Sequence, residues 1–307
     1  MEYKSLKLTN PEYNRDELSQ TWSESPYEKY KTNQSTWGWR HFPLFNNKKD
    51  IFSPPSEGID GSILEIGSAA GGAYSFLKSV GAIDSSHDYT GYDISKMGHD
   101  YCINNYPDAK WHLGDVTKKD FTNMYDYSFE RIAVHHMPNP LAIFSKMLKV
   151  TRKSFACGFV SCLNGSTISD LDKARYRHGG GEFVYFDIIN LFEVIEVMLD
   201  EKFNRINIYY GGEHEQVHHD TLAHQYISPE INVRDRLVGR STVICSKTDG
   251  PVKIELVNQN KSLMSIARSM KKKIFREADH LKVIEDRIKL MHNRSYGILY
   301  KSEYQPY

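Results

Sequence analysis

The chain has 307 residues, 40% of them hydrophobic and 25% charged, which suits a globular protein with a real core in one large domain or two smaller ones. Its 39 Lys and Arg balance 39 Asp and Glu, so there is no global basic field of the kind that draws a protein to nucleic acid. No apolar run approaches the roughly 20 residues needed to span a bilayer, and Met1 to Ser5 lead into polar sequence instead of a secretory leader, so a cytoplasmic protein is expected.

Cys102, Cys157, Cys162 and Cys245 are scattered without metal-ligand spacing, and the last three lie in apolar, strand-like stretches. They read as buried thiols in a reducing compartment.

Residues 1–55 are rich in Tyr, Asn, Lys and Ser, with Trp22, Trp37 and Trp39 among them. This is too aromatic for a plain disordered tail, so an arm or cap folded onto the main domain is expected. Its densest part, Trp37 to Pro43, either packs the arm down or covers a ligand, with Arg40 available for a carboxylate or phosphate. Pro54-Pro55-Ser56-Glu57-Gly58 marks a boundary, placing a main domain at 56–248 and a C-terminal extension at 249–307.

The main domain opens on Ser62-Ile63-Leu64-Glu65-Ile66-Gly67-Ser68-Ala69-Ala70-Gly71-Gly72. An apolar run gives way to small residues, and Ala73 to Leu77 then reads as a helix, so the stretch is a strand, a tight turn and a helix. Small side chains let backbone approach a ligand, and a helix start offers N–H groups to negative charge. A turn that serves only helix–strand packing has the same look. Tyr89 to Tyr92 is a second strand ending at Asp93-Ile94-Ser95, where an acid can take both hydroxyls of a ribose or merely cap the next helix. Ala109 to Leu113 is a third strand ending at Gly114-Asp115-Val116. Met124 to Glu130 is a fourth, followed by Arg131-Ile132-Ala133-Val134-His135-His136-Met137 and the turn Pro138-Asn139-Pro140. A helix over 141–148, a fifth strand over 154–160, a helix over 186–195 and strands over 205–210 and 239–246 complete the alternation. The fold class is α/β, a Rossmann-like, mostly parallel seven-stranded sheet with helices on both faces. The polar, glycine-bearing stretch from Asn164 to Phe183 sits where a substrate lid would be.

Taken together, the turn at Gly67 to Gly71, Asp93-Ile94-Ser95, Gly114-Asp115-Val116 and Tyr125-Asp126 with His135-His136-Met137-Pro138-Asn139-Pro140 resemble the class I S-adenosylmethionine-dependent methyltransferases. The resemblance covers roughly residues 60–165 and runs more loosely to about 248. It implies S-adenosyl-L-methionine as cofactor, with its methionine part at the glycine turn, its ribose at Asp93 and its adenine near Asp115. The resemblance thus assigns Gly67 to Gly71, Asp93 and Asp115, and the full binding set expected is Glu65, Gly67, Ser68, Ala69, Gly71, Asp93, Ile94, Asp115, Val116 and Glu130, where Glu65 could instead bond the turn itself and Glu130 could instead face the substrate. Ala69 departs from the family, which often has glycine there. A nicotinamide dinucleotide fold is the structural rival, but it needs neither an acid at Asp115 nor the His-Pro stretch.

Methyl transfer to a hydroxyl needs a base near working pH, which points to histidine. His136 is the first candidate and His135 the second, although a histidine there can merely shape the loop. His214-Glu215-Gln216-Val217-His218-His219-Asp220 is a further cluster; His219 can serve as base, and His214 with His218 would share a face only in a helix, so no metal is expected. The expected function is methylation of a small-molecule or sugar hydroxyl. An N-methyltransferase acting on a small molecule or protein, a non-catalytic cofactor-binding partner and a nicotinamide-dependent oxidoreductase are the alternatives. In the extension, Leu263, Ala267, Met270, Ile274, Leu281, Ile284, Ile288 and Met291 follow helical spacing broken at Glu277. A homodimer through this helix is the first expectation and docking on its own domain the second.

Overall fold

A computed structural model describes residues 59–79, 81–131, 133–167, 175–177, 183–185, 187–213, 238–257, 281–291 and 299–302. The elements are β1 (Ile63–Ile66), α1 (Gly72–Ser79), β2 (Tyr89–Asp93), α2 (Lys96–Asn105), β3 (Lys110–Leu113), β4 (Tyr125–Arg131), α3 (Pro140–Lys149), β5 (Thr151–Cys162), β6 (Arg175–Arg177), β7 (Phe183–Tyr185), β8 (Ile189–Asn190), α4 (Leu191–Asp200), β9 (Arg205–Glu213), β10 (Val238–Ser246), β11 (Lys253–Val257) and β12 (Leu299–Ser302). Short 3-10 turns follow β3 at Val116–Lys118 and β4 at Val134–His136.

All seven expected strands are present in one sheet ordered β12-β11-β9-β10-β5-β4-β1-β2-β3, with β8 beside β5. β1, β2, β3, β4 and β5 run parallel, while β10 is antiparallel to both β5 and β9. β1 is buried throughout, as a central strand covered on both faces must be. Its alternation divides the core. Ile63 belongs with Ala73, Tyr74, Phe76 and Leu77 of α1 on one face. Leu64 and Ile66 belong with Phe144 and Met147 of α3 and Val194, Ile195 and Met198 of α4 on the other. Between β4, β1 and β2 the chain order reverses, which opens a crevice at the carboxyl ends of the strands.

Local chemistry sets the helix starts. Asn139 adopts a left-handed conformation (φ 56°) ahead of Pro140, which occupies the first turn of α3 where a missing N–H costs nothing. α4 begins at Leu191, later than periodicity suggests, because Ile189–Asn190 pairs with β5 and the Asn190 side chain then accepts from Phe192 N at 2.8 Å and Glu193 N at 3.1 Å.

Three departures from the expected architecture stand out. The sheet carries extra strands, and β11 occupies Lys253–Val257, inside the extension expected to be helical; Ile254 and Leu256 are buried there in alternation, which is strand period. The polar stretch after β5 includes a two-stranded antiparallel hairpin, β6 and β7, and β7 lies against the turn Val134–His136. Finally, the helix over 281–291 buries Leu281, Ile284, Ile288 and Met291 in the core of α3 and α4, with Arg287 over the Phe192 ring at 5.7 Å. The apolar face expected to make a homodimer is therefore occupied by its own domain over 281–291, and the helical pattern before it lies outside the described residues. All four cysteines are free and buried. No helix among the described residues is long and apolar enough to cross a membrane.

Candidate functional site

The turn after β1 is held from beneath by its neighbour strand. Gly67 N and Ser68 N both donate to Tyr92 O, at 2.8 and 3.1 Å, and Gly71 N closes the turn on Ser68 O at 2.8 Å. Gly67 has φ 75°, and a Cβ added there would collide with Ala133 Cβ just past β4. Glycine is thus required at this position both by backbone conformation and by the close approach of a second loop. Ala69 holds φ 51°, a left-handed conformation that costs a methyl-bearing residue roughly 1–2 kcal/mol. Its carbonyl is packed so closely by α2 that a side chain at Gly98 could not fit.

Asp93 fastens this turn. Its Oδ2 accepts from Ala69 N at 2.7 Å and its Oδ1 from Ser95 N at 2.7 Å. A carboxylate offers about four acceptor sites, so each oxygen keeps a lone pair, and the residue is only half-buried. Burial nonetheless pushes its pKa up from the ordinary value, against the pull of those two N–H groups. Ile94 beside it is half-buried, and Ser95 caps α2 by accepting from Gly98 N. Gly114 N donates to Asp93 O at 2.9 Å, which ties the end of β3 to the end of β2. Asp115 follows, its Oδ1 taking Thr117 N at 2.9 Å and Thr117 Oγ1 at 2.7 Å, with Val116 buried behind it. The structure therefore brings Gly67, Ser68, Ala69, Gly71, Asp93, Ile94, Asp115 and Val116 to one rim.

Glu65 lies under that rim, buried among Tyr74, Tyr89 and the Trp111 side of the core. Tyr89 Oη donates to its Oε2, while Oε1 finds no hydrogen-bond partner among the described residues. Burial pushes this carboxyl up to about 8, with the Tyr89 hydroxyl pulling the other way and the nearby Asp93 charge adding to the rise. Tyr89 escaped the sequence reading; only the register that sets Ile63 against it shows that it shares a face with Glu65.

Glu130 does not reach the rim. It is wholly buried, its Oε2 accepts from Ala133 N at 2.9 Å and Val134 N at 3.1 Å, and its Oε1 accepts from Gly158 N at 3.0 Å. Burial pushes its pKa up to about 7 even so. Expected as a cofactor ligand, it instead ties the loop after β4 to β5, because three backbone donors claim its oxygens. The loop it holds carries the histidines. His135 is buried and His136 half-buried, with their Nε2 atoms 2.9 Å apart. Asp187, also buried, donates its N–H to His135 O at 2.6 Å. His219, the His214 cluster and the arm with Arg40 lie outside the described residues.

A groove of about 450 Å³ lies at the opposite, amino end of the strands, lined by Thr90, Lys110, His112, Tyr125 and Arg152 among others. Its cations are already engaged, Lys110 with Asp88 at 2.6 Å and Arg152 with Asp126 at 3.4 Å. It is remote from the rim.

No family model and no curated protein matches the chain by sequence. Among solved structures, the N-terminal domain of EvdMO1 with SAH bound is 12% identical, with a TM-score of 0.45 over 62% of this chain and 76% of that one. An O-methyltransferase from a trans-AT PKS multienzyme of Brevibacillus brevis, in complex with S-adenosyl-L-homocysteine, is 13% identical, with a TM-score of 0.44 over 61% of this chain and 67% of that one. An S-adenosylmethionine-dependent methyltransferase from Mesorhizobium loti is 13% identical, with a TM-score of 0.39 over 61% of this chain and 91% of that one. Scores this low carry nothing on chemistry; what bears on function is the chain's own strand order and rim.

Proposed function

We propose that the chain is an S-adenosylmethionine-dependent methyltransferase acting on the hydroxyl of a small molecule or sugar. The observation that supports this most is the pair of acids, Asp93 and Asp115, on adjacent strand ends linked by the Gly114 N–Asp93 O bond, beside a turn that admits close backbone approach. The residues fit the cofactor on two counts: Asp93 retains acceptor capacity for two ribose hydroxyls, and the buried Glu65 Oε1 lacks a donor. A nicotinamide dinucleotide needs no acid at Asp115, which then serves only to cap the turn after β3.

When bound, the cofactor supplies an activated methyl group on a sulfonium. The chain's part is alignment and proton removal. Gly67 to Gly71 and Asp93 would hold the cofactor, with Asp115 and Val116 at its adenine end. His136 would take the proton of the acceptor hydroxyl, standing on a loop that Glu130 keeps in place. Supporting this pairing of roles, the turn after β1 and the loop after β4 meet where Gly67 packs on Ala133.

Calorimetric titration with S-adenosylhomocysteine tests the reading. Binding is expected, and Asp93→Ala should weaken it about 100-fold, roughly the 2.7 kcal/mol of two charge-assisted hydrogen bonds. NADH should not bind. Failure of S-adenosylhomocysteine to bind, or unaltered affinity in Asp93→Ala, would remove the cofactor assignment. A panel of hydroxyl acceptors with labelled S-adenosylmethionine then tests the reaction, and binding without transfer to any acceptor, hydroxyl or amine, would make the chain a cofactor-binding partner.

A further inference from the structure

Residues 114–124 join β3 to β4 across β2 and β1, and the turn Val116–Lys118 is their one piece of regular structure. Asp115 is built into that turn. Its Oδ1 accepts from Thr117 N at 2.9 Å and from Thr117 Oγ1 at 2.7 Å, so the carboxylate is fixed relative to Thr117. These bonds are local: they orient the acid on the turn and do nothing to place the turn on the sheet. Lys118, 3.8 Å from Oδ2, belongs to the same turn and moves with it.

The turn is placed from outside, at both ends. Ahead of it, Gly114 N donates to Asp93 O at 2.9 Å. Behind it, Lys146 in the last turn of α3 donates from Nζ to Thr117 O at 3.2 Å and to Lys119 O at 2.7 Å. An ammonium suits this place, because the last carbonyls of a helical turn lack partners within it and carry partial negative charge. Phe121 adds an edge-on contact with the Tyr92 ring, centroids 5.3 Å apart. Thr117 is thus bonded on one side to Asp115 and on the other to Lys146.

We propose that Lys146 is a positioning residue for Asp115, fixing through the Thr117 carbonyl where the acid stands beside the strand ends and so how it meets the adenine of S-adenosylmethionine. This rests on the reading of Asp115 at the adenine end of the cofactor. A carboxylate there only accepts, so it favours the exocyclic amine of adenine over the 6-oxo group of hypoxanthine. The preference between the two bases therefore measures how well the carboxylate is placed.

Calorimetric titration of the full-length protein with S-adenosylhomocysteine and with S-inosylhomocysteine, which carries a 6-oxo group in place of the amine, tests the proposal. Lys146→Met should weaken S-adenosylhomocysteine about tenfold, the worth of one misplaced hydrogen bond to a charged group, and should narrow its preference over S-inosylhomocysteine. Lys146→Arg, which keeps a charged donor, should retain most of both. In an Asp115→Asn background the amide oxygen serves Thr117 and the amide nitrogen cannot accept, so adding Lys146→Met should change affinity by no more than about twofold. Should Lys146→Met lose the wild-type circular dichroism spectrum, Lys146→Gln takes its place with the same expected loss of base preference. An unchanged affinity or base preference in the Lys146 variant, or a loss that persists in full in the Asp115→Asn background, would make Lys146 a tie of the loop alone and overturn the proposal. The reading beneath it fails differently: if Asp115→Asn by itself leaves affinity and base preference at wild-type values, the acid does not meet the adenine, and the proposal falls with that reading.

Discussion

Two acids stand at the ends of β2 and β4, the strands that flank β1, and they have opposite fates. Asp93, closing β2, gives one acceptor site on each oxygen to backbone and keeps the remainder at a half-open rim. Glu130, near the end of β4, surrenders its carboxylate to three backbone N–H groups and is wholly enclosed. Both stand where an acid can meet a ligand. What separates an acid that keeps acceptor capacity from one that does not is how many backbone donors surround it, and that depends on loops from elsewhere in the chain. Glu65 lies between the two, enclosed like Glu130 but with one oxygen unclaimed.

The sharpest way to break the comparison is Glu130→Ala. It strands the N–H groups of Ala133, Val134 and Gly158, each costing roughly 1–3 kcal/mol when buried and unpaired, so urea denaturation should show a loss of about 3 kcal/mol or more. Asp93→Ala, by contrast, should act chiefly on ligand affinity. If Glu130→Ala left stability intact and removed cofactor binding, the two roles would be reversed.

Next in size is Gly67→Ala, which sets a methyl into Ala133 at φ 75°. Overpacking and left-handed strain together predict a loss of about 2–4 kcal/mol. Adding Ala133→Gly should recover the overpacking share and leave the backbone share, and equal melting temperatures for the single and double variants would show that the two loops do not press on each other.

Glu65 gives a pH signature. Its folded pKa is raised to about 8 from 4.5, so between those values the native state keeps a proton that the unfolded state has lost. Its contribution to stability is therefore complete below about pH 4.5 and falls as pH rises toward 8, by up to about 1.4 kcal/mol per unit. Glu130, raised to about 7, slopes the same way. Glu65→Gln, which cannot ionise, should flatten the decline in melting temperature between pH 5 and pH 8; an unchanged slope would mean Glu65 is ionised in the folded protein.

The smallest effect belongs to Ala69→Gly. Relief of a left-handed alanine is offset by the added freedom of glycine when unfolded, leaving a gain near 0.5 kcal/mol in thermal denaturation. A clear loss would mean that the Ala69 methyl makes contacts outweighing its strain.

Much of this was legible in the residues themselves. Apolar runs interrupted by small or acidic residues placed β1 to β5 and the turns after β1, β2 and β3, because those patterns arise from forces acting within a few residues: strand burial, φ freedom and helix capping. Lys253–Val257 was not legible as a strand, since a short run of alternating residues next to a helical pattern has no local tie-breaker, and pairing with β9 decides it. The burial of Leu281, Ile284, Ile288 and Met291 in the core has the same character: spacing gives an apolar face and says nothing of what covers it.

The amino-acid sequence alone determined an alternating α/β sheet and the placing of a small-residue turn and two acids at its rim, because strand period and turn chemistry are short-range. Only the tertiary structure decided that Glu130 belongs to the scaffold, that Gly67 must yield to Ala133, and that Lys146 bonds the turn bearing Asp115. Each of those depends on distances between segments that neighbouring residues along the chain do not control.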